Sequence, residues 1–231
     1  MKDHTELKSM RLAILGDVAT QFIAQELSGV GRDYGFAFDI YEAGYEQITQ
    51  QISEKSSAIY TFSPRAIIII QSSEKLLDRF YHCALADRDL FAESELIRIK
   101  KLFSKLAEYA PSSSVLISNF VEIDDSVYGN YANKTRKSFI YHLRKINLGL
   151  MDEASSRHQV SIIDFNSIQN RIGRNVFFDP RMYVNASMVH SLECVPTIAK
   201  NICDLVAVTH GNFKKCVIVD LDNTLWGGGD W

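Results

Sequence analysis

Five short apolar runs, each leading toward a helical pattern, limit this chain more than any other feature. Arg11 to Leu15 (RLAIL), Phe36 to Tyr41, Ala66 to Ile70 (AIIII), Val115 to Ser118 (VLIS) and Val160 to Asp164 (VSIID) have strand length and no polar alternation. Strands that lack alternation are covered on both faces, as in parallel sheets. Helical periodicity fills the intervals, over 18–27, 45–52 and 73–83. It continues in two long stripes, Ile99, Leu102, Leu106, Ala110 and then Phe139, Leu143, Ile146, Leu150, Ala154. A last helix is expected over 192–206, with Val195, Ile198, Ile202 and Leu205 on one face. Parallel neighbours need crossovers, and crossovers are right-handed, so the pattern predicts a three-layer, doubly wound, mostly parallel α/β sandwich. Such sheets bind ligands beyond the carboxyl ends of their strands.

The 231 residues, 46% of them apolar, are enough for one large core, expected over 1–210, with a short second unit over 211–231. Lys and Arg total 25 against 28 Asp and Glu, a net charge of −3, so nothing favours a nucleic-acid backbone as partner. The start, MKDHTELKSM, has no apolar signal core, and Ala66 to Ile70 is the longest aliphatic run, too short for a bilayer. No membrane partner and a cytoplasmic location are expected. Cys83, Cys194, Cys203 and Cys216 stand singly, without zinc-site spacing, and are expected to be reduced, buried thiols.

At the end of the first strand, ILGDVAT (14–20) resembles the first block of the SGNH (GDSL-type) hydrolases, in which Gly-Asp-Ser places a nucleophile. Gly16 and Asp17 match, and Val18 stands where the serine would be. An isopropyl group has no proton to lose and no lone pair to attack with. Gly44 falls where the second-block glycine supplies an oxyanion N–H. Gln71-Ser72-Ser73-Glu74 replaces Gly-x-Asn-Asp, so Ser73 stands at the asparagine position. Ser187-Met188-Val189-His190 replaces Asp-x-x-His, which leaves His190 as a base without its orienting carboxylate. A lone histidine this close to a helix start is ordinarily solvated or capping. The resemblance thus implies the SGNH fold with its ester-hydrolysing site lost.

The most specific motif comes last. Cys216 to Val219 is an apolar strand with Asp220 and Asp222 at its carboxyl end, in VDLDNTLWGG. This resembles motif I of the haloacid dehalogenase (HAD) superfamily, and more narrowly its FkbH-like members, in which an SGNH-like domain precedes a HAD domain. FDPRMYVNASMVHS (178–191) resembles a further FkbH-like segment. The resemblance implies Asp220 as the nucleophile that takes up a phosphoryl group and Asp222 as the general acid/base. It implies Mg²⁺ held by the Asp220 side chain and the Asp222 backbone carbonyl, and a small phosphorylated metabolite as substrate. An acyl carrier protein, or the remainder of the HAD domain, is the implied partner. Residues 211–231 would be the first strand of a HAD domain otherwise truncated, and the chain alone is expected to be catalytically silent. The alternatives are an unconventional SGNH-type ester hydrolase using His190 with Ser72 or Ser73, and a pure interaction domain.

Overall fold

The computed structural model describes residues 7–123 and 125–211. In chain order the elements are β1 (Lys8–Gly16), α1 (Gln21–Asp33), β2 (Phe36–Glu42), α2 (Ile48–Ser53), α3 (Ala58–Phe62), β3 (Ala66–Ile70), α4 (Ser73–His82) and α5 (Phe91–Tyr109). There follow β4 (Ser114–Ser118), α6 (Phe139–Ser156), β5 (Val160–Ile163), α7 (Phe165–Ile172), α8 (Arg174–Phe177), α9 (Pro180–Ala186) and α10 (Val195–Thr209). The strands form one sheet in the order β2-β1-β3-β4-β5, with every pair parallel. This is the expected doubly wound α/β architecture.

The physical reason lies in the two central strands. All five residues of β3 are fully buried, as are Leu12, Ala13, Ile14 and Leu15 of β1. Burying an aliphatic side chain of this size contributes about 1.5–3 kcal/mol, so these runs anchor the core. The crossovers put α1 and α10 together on one face, while α5 and α6 pack together on the other. The edges differ from the sequence expectation. Much of β2 (FAFDIYE) is only half-buried, because an edge strand has a neighbour on one side alone.

Strand β5 stops at Ile163 because Asp164 caps α7, its carboxylate accepting the Ser167 N–H at 2.9 Å. The last helix begins at Val195, later than its apolar pattern, with a proline in its first turn. Cys194 and Cys203 are buried as expected, whereas Cys83 is only half-buried.

The order β2-β1-β3 makes the gap between β1 and β3 the switch point of the sheet. From β1 the chain crosses toward β2, and from β3 it crosses toward β4, so their carboxyl ends open a crevice between diverging connections. Gly16-Asp17 and Gln71-Ser72-Ser73 lie there.

Candidate functional site

Asp17 ties the two halves of the crevice together. Its N–H donates to the Ile70 carbonyl at 3.1 Å, and its Oδ1 accepts the Ser72 N–H at 2.9 Å. Burial pushes its carboxyl up to about 7, against the pull of the Ser72 N–H and of the Arg79, Arg98 and Lys75 charges. Gly16 beside it must be small, since a Cβ would fall 2.6 Å from Thr20 Cγ2 and 2.7 Å from the Val18 carbonyl oxygen.

Val18 is buried, at 2% exposure, and lines a cleft of about 440 Å³ with Gly16, Thr20, Glu42, Tyr45 and Ser187. The Ser187 carbonyl accepts the Ala19 N–H at 3.0 Å, which closes the turn after β1 onto the end of α9. Ser187 is itself left-handed, with φ +52°, at the C-terminus of α9. Gly44 is exposed and next to this cleft, where a Cβ would fall 2.7 Å from the Gln47 side-chain amide nitrogen. The residues matching the first block, the second block and the lost carboxylate therefore do converge.

His190 does not line this cleft. It lines a separate small cavity of about 10 Å³ with Ser72, Ser73, Glu74 and Asn119, which is room for no more than about one water molecule. Far from being solvated, it is 3% exposed, with the rings of Phe165 and Phe177 edge-on at 5.0 and 5.1 Å. Its Nδ1 has no hydrogen-bond partner among the described residues. Burial alone lowers its pKa to about 4, so the ring is neutral at pH 7.

The serines of the third block are engaged. The Ser73 hydroxyl donates to the Val121 carbonyl at 2.6 Å, and the Ser72 hydroxyl caps α4 by accepting the Lys75 N–H at 3.1 Å. Glu74, which ends the altered third block, has both carboxylate oxygens buried without a hydrogen bond. Arg174 forms an ion pair with it at 3.5 Å, and burial raises its pKa. No sequence signal pairs two residues this far apart.

Chemically, this arrangement has an acceptor-bearing strut (Asp17), a neutral enclosed imidazole and no activated hydroxyl. A serine placed at position 18 gains no oriented base, because His190 opens into a different cavity and lacks a carboxylate partner. Val18→Ser is therefore expected to leave p-nitrophenyl acetate hydrolysis at background, while destabilising the fold by about 1–3 kcal/mol through its buried hydroxyl. A stoichiometric burst of p-nitrophenol would overturn this. Asp220 and Asp222 lie outside the described residues. Among the described residues no three His, Cys, Asp or Glu side chains group as metal ligands, and no helix is long and apolar enough to cross a membrane. The two motif carboxylates are hard oxygen donors, chemically suited to Mg²⁺.

The model of the family described as "FkbH, N-terminal domain" matches residues 11–207. The chain belongs to the FkbH N-terminal domain family. A solved structure from Bacteroides fragilis, the N-terminal part of a protein containing a phosphatase domain and complexed with Mg, is 34% identical, with a TM-score of 0.88. The match covers 99% of this FkbH N-terminal domain chain and 59% of the Bacteroides chain, so this chain spans well under two thirds of that relative. A lipase from a goat rumen metagenome (TM-score 0.61, 11% identity, 84% of this chain and 95% of that one) shares the fold alone. So does a family 3 carbohydrate esterase from Clostridium thermocellum (TM-score 0.57, 13% identity, 88% and 98% covered). The FkbH N-terminal domain thus has the SGNH-hydrolase fold, as its degenerate blocks imply. No curated protein sequence matches the chain.

Proposed function

We propose that this chain is the scaffold domain of a Mg²⁺-dependent phosphatase or phosphotransferase, and that its own SGNH-type crevice makes and breaks no bonds. Buried Val18 at the nucleophile position carries the second half of this reading. Asp220 and Asp222 of the two-aspartate motif carry the first, supported by the Mg-complexed phosphatase-domain protein from Bacteroides. A carboxylate oxygen of Asp220 attacks phosphorus, the bond to the leaving oxygen breaks, and that oxygen takes the proton of Asp222. The resulting aspartyl phosphate is then discharged to an acceptor, with return of the proton to Asp222. Bound Mg²⁺ would offset the phosphoryl charge, held by the Asp220 carboxylate and the Asp222 carbonyl.

The substrate in this reading is a small phosphorylated metabolite in the cytoplasm, and the acceptor is water or the thiol of an acyl carrier protein. In this reading residues 211–231 belong to the phosphoryl-transfer domain. The ester-hydrolase alternative is disfavoured because the Ser73 hydroxyl is committed to a backbone carbonyl and the Ser72 hydroxyl to a helix cap. A pure interaction role leaves the two-aspartate motif without a purpose.

The deciding experiment incubates a chain extending through the whole phosphatase region with p-nitrophenyl phosphate and Mg²⁺. Borohydride trapping and peptide mass spectrometry should place the reduced acyl phosphate at Asp220. Labelling at another residue, or phosphate release undiminished in Asp220→Asn, refutes the reading.

A further inference from the structure

A broad groove lies at the other end of the sheet, by the amino ends of β1, β3 and β4. It measures about 780 Å³, within the range of small-molecule sites, and Lys8, Arg11, Arg65 and His210 line it beside Tyr60 and Tyr109. Its one lining carboxylate is Asp39, which stands in register with Arg11. Among the described residues no carboxylate is within ion-pair distance of Lys8, Arg11 or Arg65, although twelve other ion pairs form among them.

This is a concentration of positive charge on a chain whose net charge is −3. Lys8, Arg11 and Arg65 are exposed along an aromatic-lined groove: Arg11 lies 5.8 Å above the Phe62 ring, and Tyr60 and Tyr109 form an edge-on aromatic wall with ring centres 5.4 Å apart. His210 is half-buried, its Nε2 lies 3.3 Å from the Ser114 hydroxyl, and its pKa is lowered by burial and by the charges of Arg65 and Lys8. Like charges gathered in one concavity repel unless an anion joins them, and a planar guanidinium suits phosphate oxygens in bidentate fashion.

We infer that this groove is a binding site for a phosphate monoester, its dianion held by Lys8, Arg11 and Arg65 and its organic part against Tyr60 and Tyr109. The groove is separated from the crevice around Asp17 by the length of β1, roughly 25 Å for a strand of this size. The two sites are therefore independent. The inference goes beyond the proposed phosphoryl transfer and does not rest on Asp220, since every residue it names is a described one lining the groove. A failure of either leaves the other standing.

Isothermal titration of this chain with inorganic phosphate and with phenyl phosphate, at low ionic strength, tests it. One-site binding is expected, tighter for phenyl phosphate because of the aromatic wall, and weakened by added salt. Arg65→Glu and Lys8→Glu should each weaken it at least about tenfold with unchanged melting temperatures, since both side chains are exposed. Arg65→Gln replaces Arg65→Glu should the charge reversal unfold the chain. The imidazole resonance of His210 should titrate at higher pH when phosphate is bound. The absence of saturable binding at about 10 mM phosphate, a concentration at which a 1 mM site is nine-tenths filled, would overturn the inference. So would binding by Arg65→Glu and Lys8→Glu as tight as by the parent.

Discussion

Replacing Asp17 with Asn should make the domain more stable at pH 8, by about 2–4 kcal/mol, and leave it nearly unchanged at pH 4. The carboxyl titrates at about 7 when folded and near 3.8 when unfolded. The folded chain therefore holds an extra proton between those values. Stability from this group is fully present below pH 3.8 and is lost as pH rises through 7, at about 1.4 kcal/mol per pH unit. Asn keeps an acceptor for the Ser72 N–H, which the native Oδ1 receives at 2.9 Å, and carries no charge to desolvate. Urea unfolding of both proteins at pH 4 and pH 8 gives the comparison. Equal stabilities at pH 8 would show that Asp17 titrates as an ordinary carboxyl.

His190 should show the opposite sign. Its folded pKa of about 4 lies below the ordinary 6.5, so the unfolded chain binds the extra proton between the two. Its contribution is present above pH 6.5 and disappears as pH falls through 4, a loss of about 3 kcal/mol. His190→Leu removes the unpartnered Nδ1 and keeps an apolar body between Phe165 and Phe177. It should lie within about 1 kcal/mol of the parent at pH 7 and surpass it by about 3 kcal/mol at pH 4. Between pH 4 and 6.5 the slopes of Asp17 and His190 cancel in the parent. Each substitution exposes the other's slope, so the two stability differences should diverge with pH. Parallel curves would mean that neither group is buried as described.

The strands were legible because five aliphatic runs without polar alternation mark strands covered on both faces, whereas their order and register appear only in the folded sheet. The short helices between 165 and 186 were not, since caps such as Asp164 and Asp179 set them, rather than a long apolar period. The blocks at Gly16, Gly44 and Ser187 were visible as a pattern, and the cleft brings them together. The enclosure of His190 was not visible, because it depends on two phenylalanines, one in α7 and one ending α8, closing over the ring. Asp17 could be located but not interpreted: its role as a strut appears only when Ser72 is placed opposite it. Glu74 and Arg174 meet only through the tertiary fold, which no local spacing encodes.

The pairing of the first and last helices also bears on biosynthesis. The flank of α1 that meets α10 has no cover until residue 209 exists, and Tyr34, just past α1, hydrogen-bonds to Asp204 within α10. Asp33 and Thr209 lie 176 residues apart in the chain. At ribosomal speeds of about 5–20 residues per second, a nascent chain waits roughly 9–35 s with that apolar flank uncovered. The first helix therefore gains the cover of the last only after most of the domain has been synthesised.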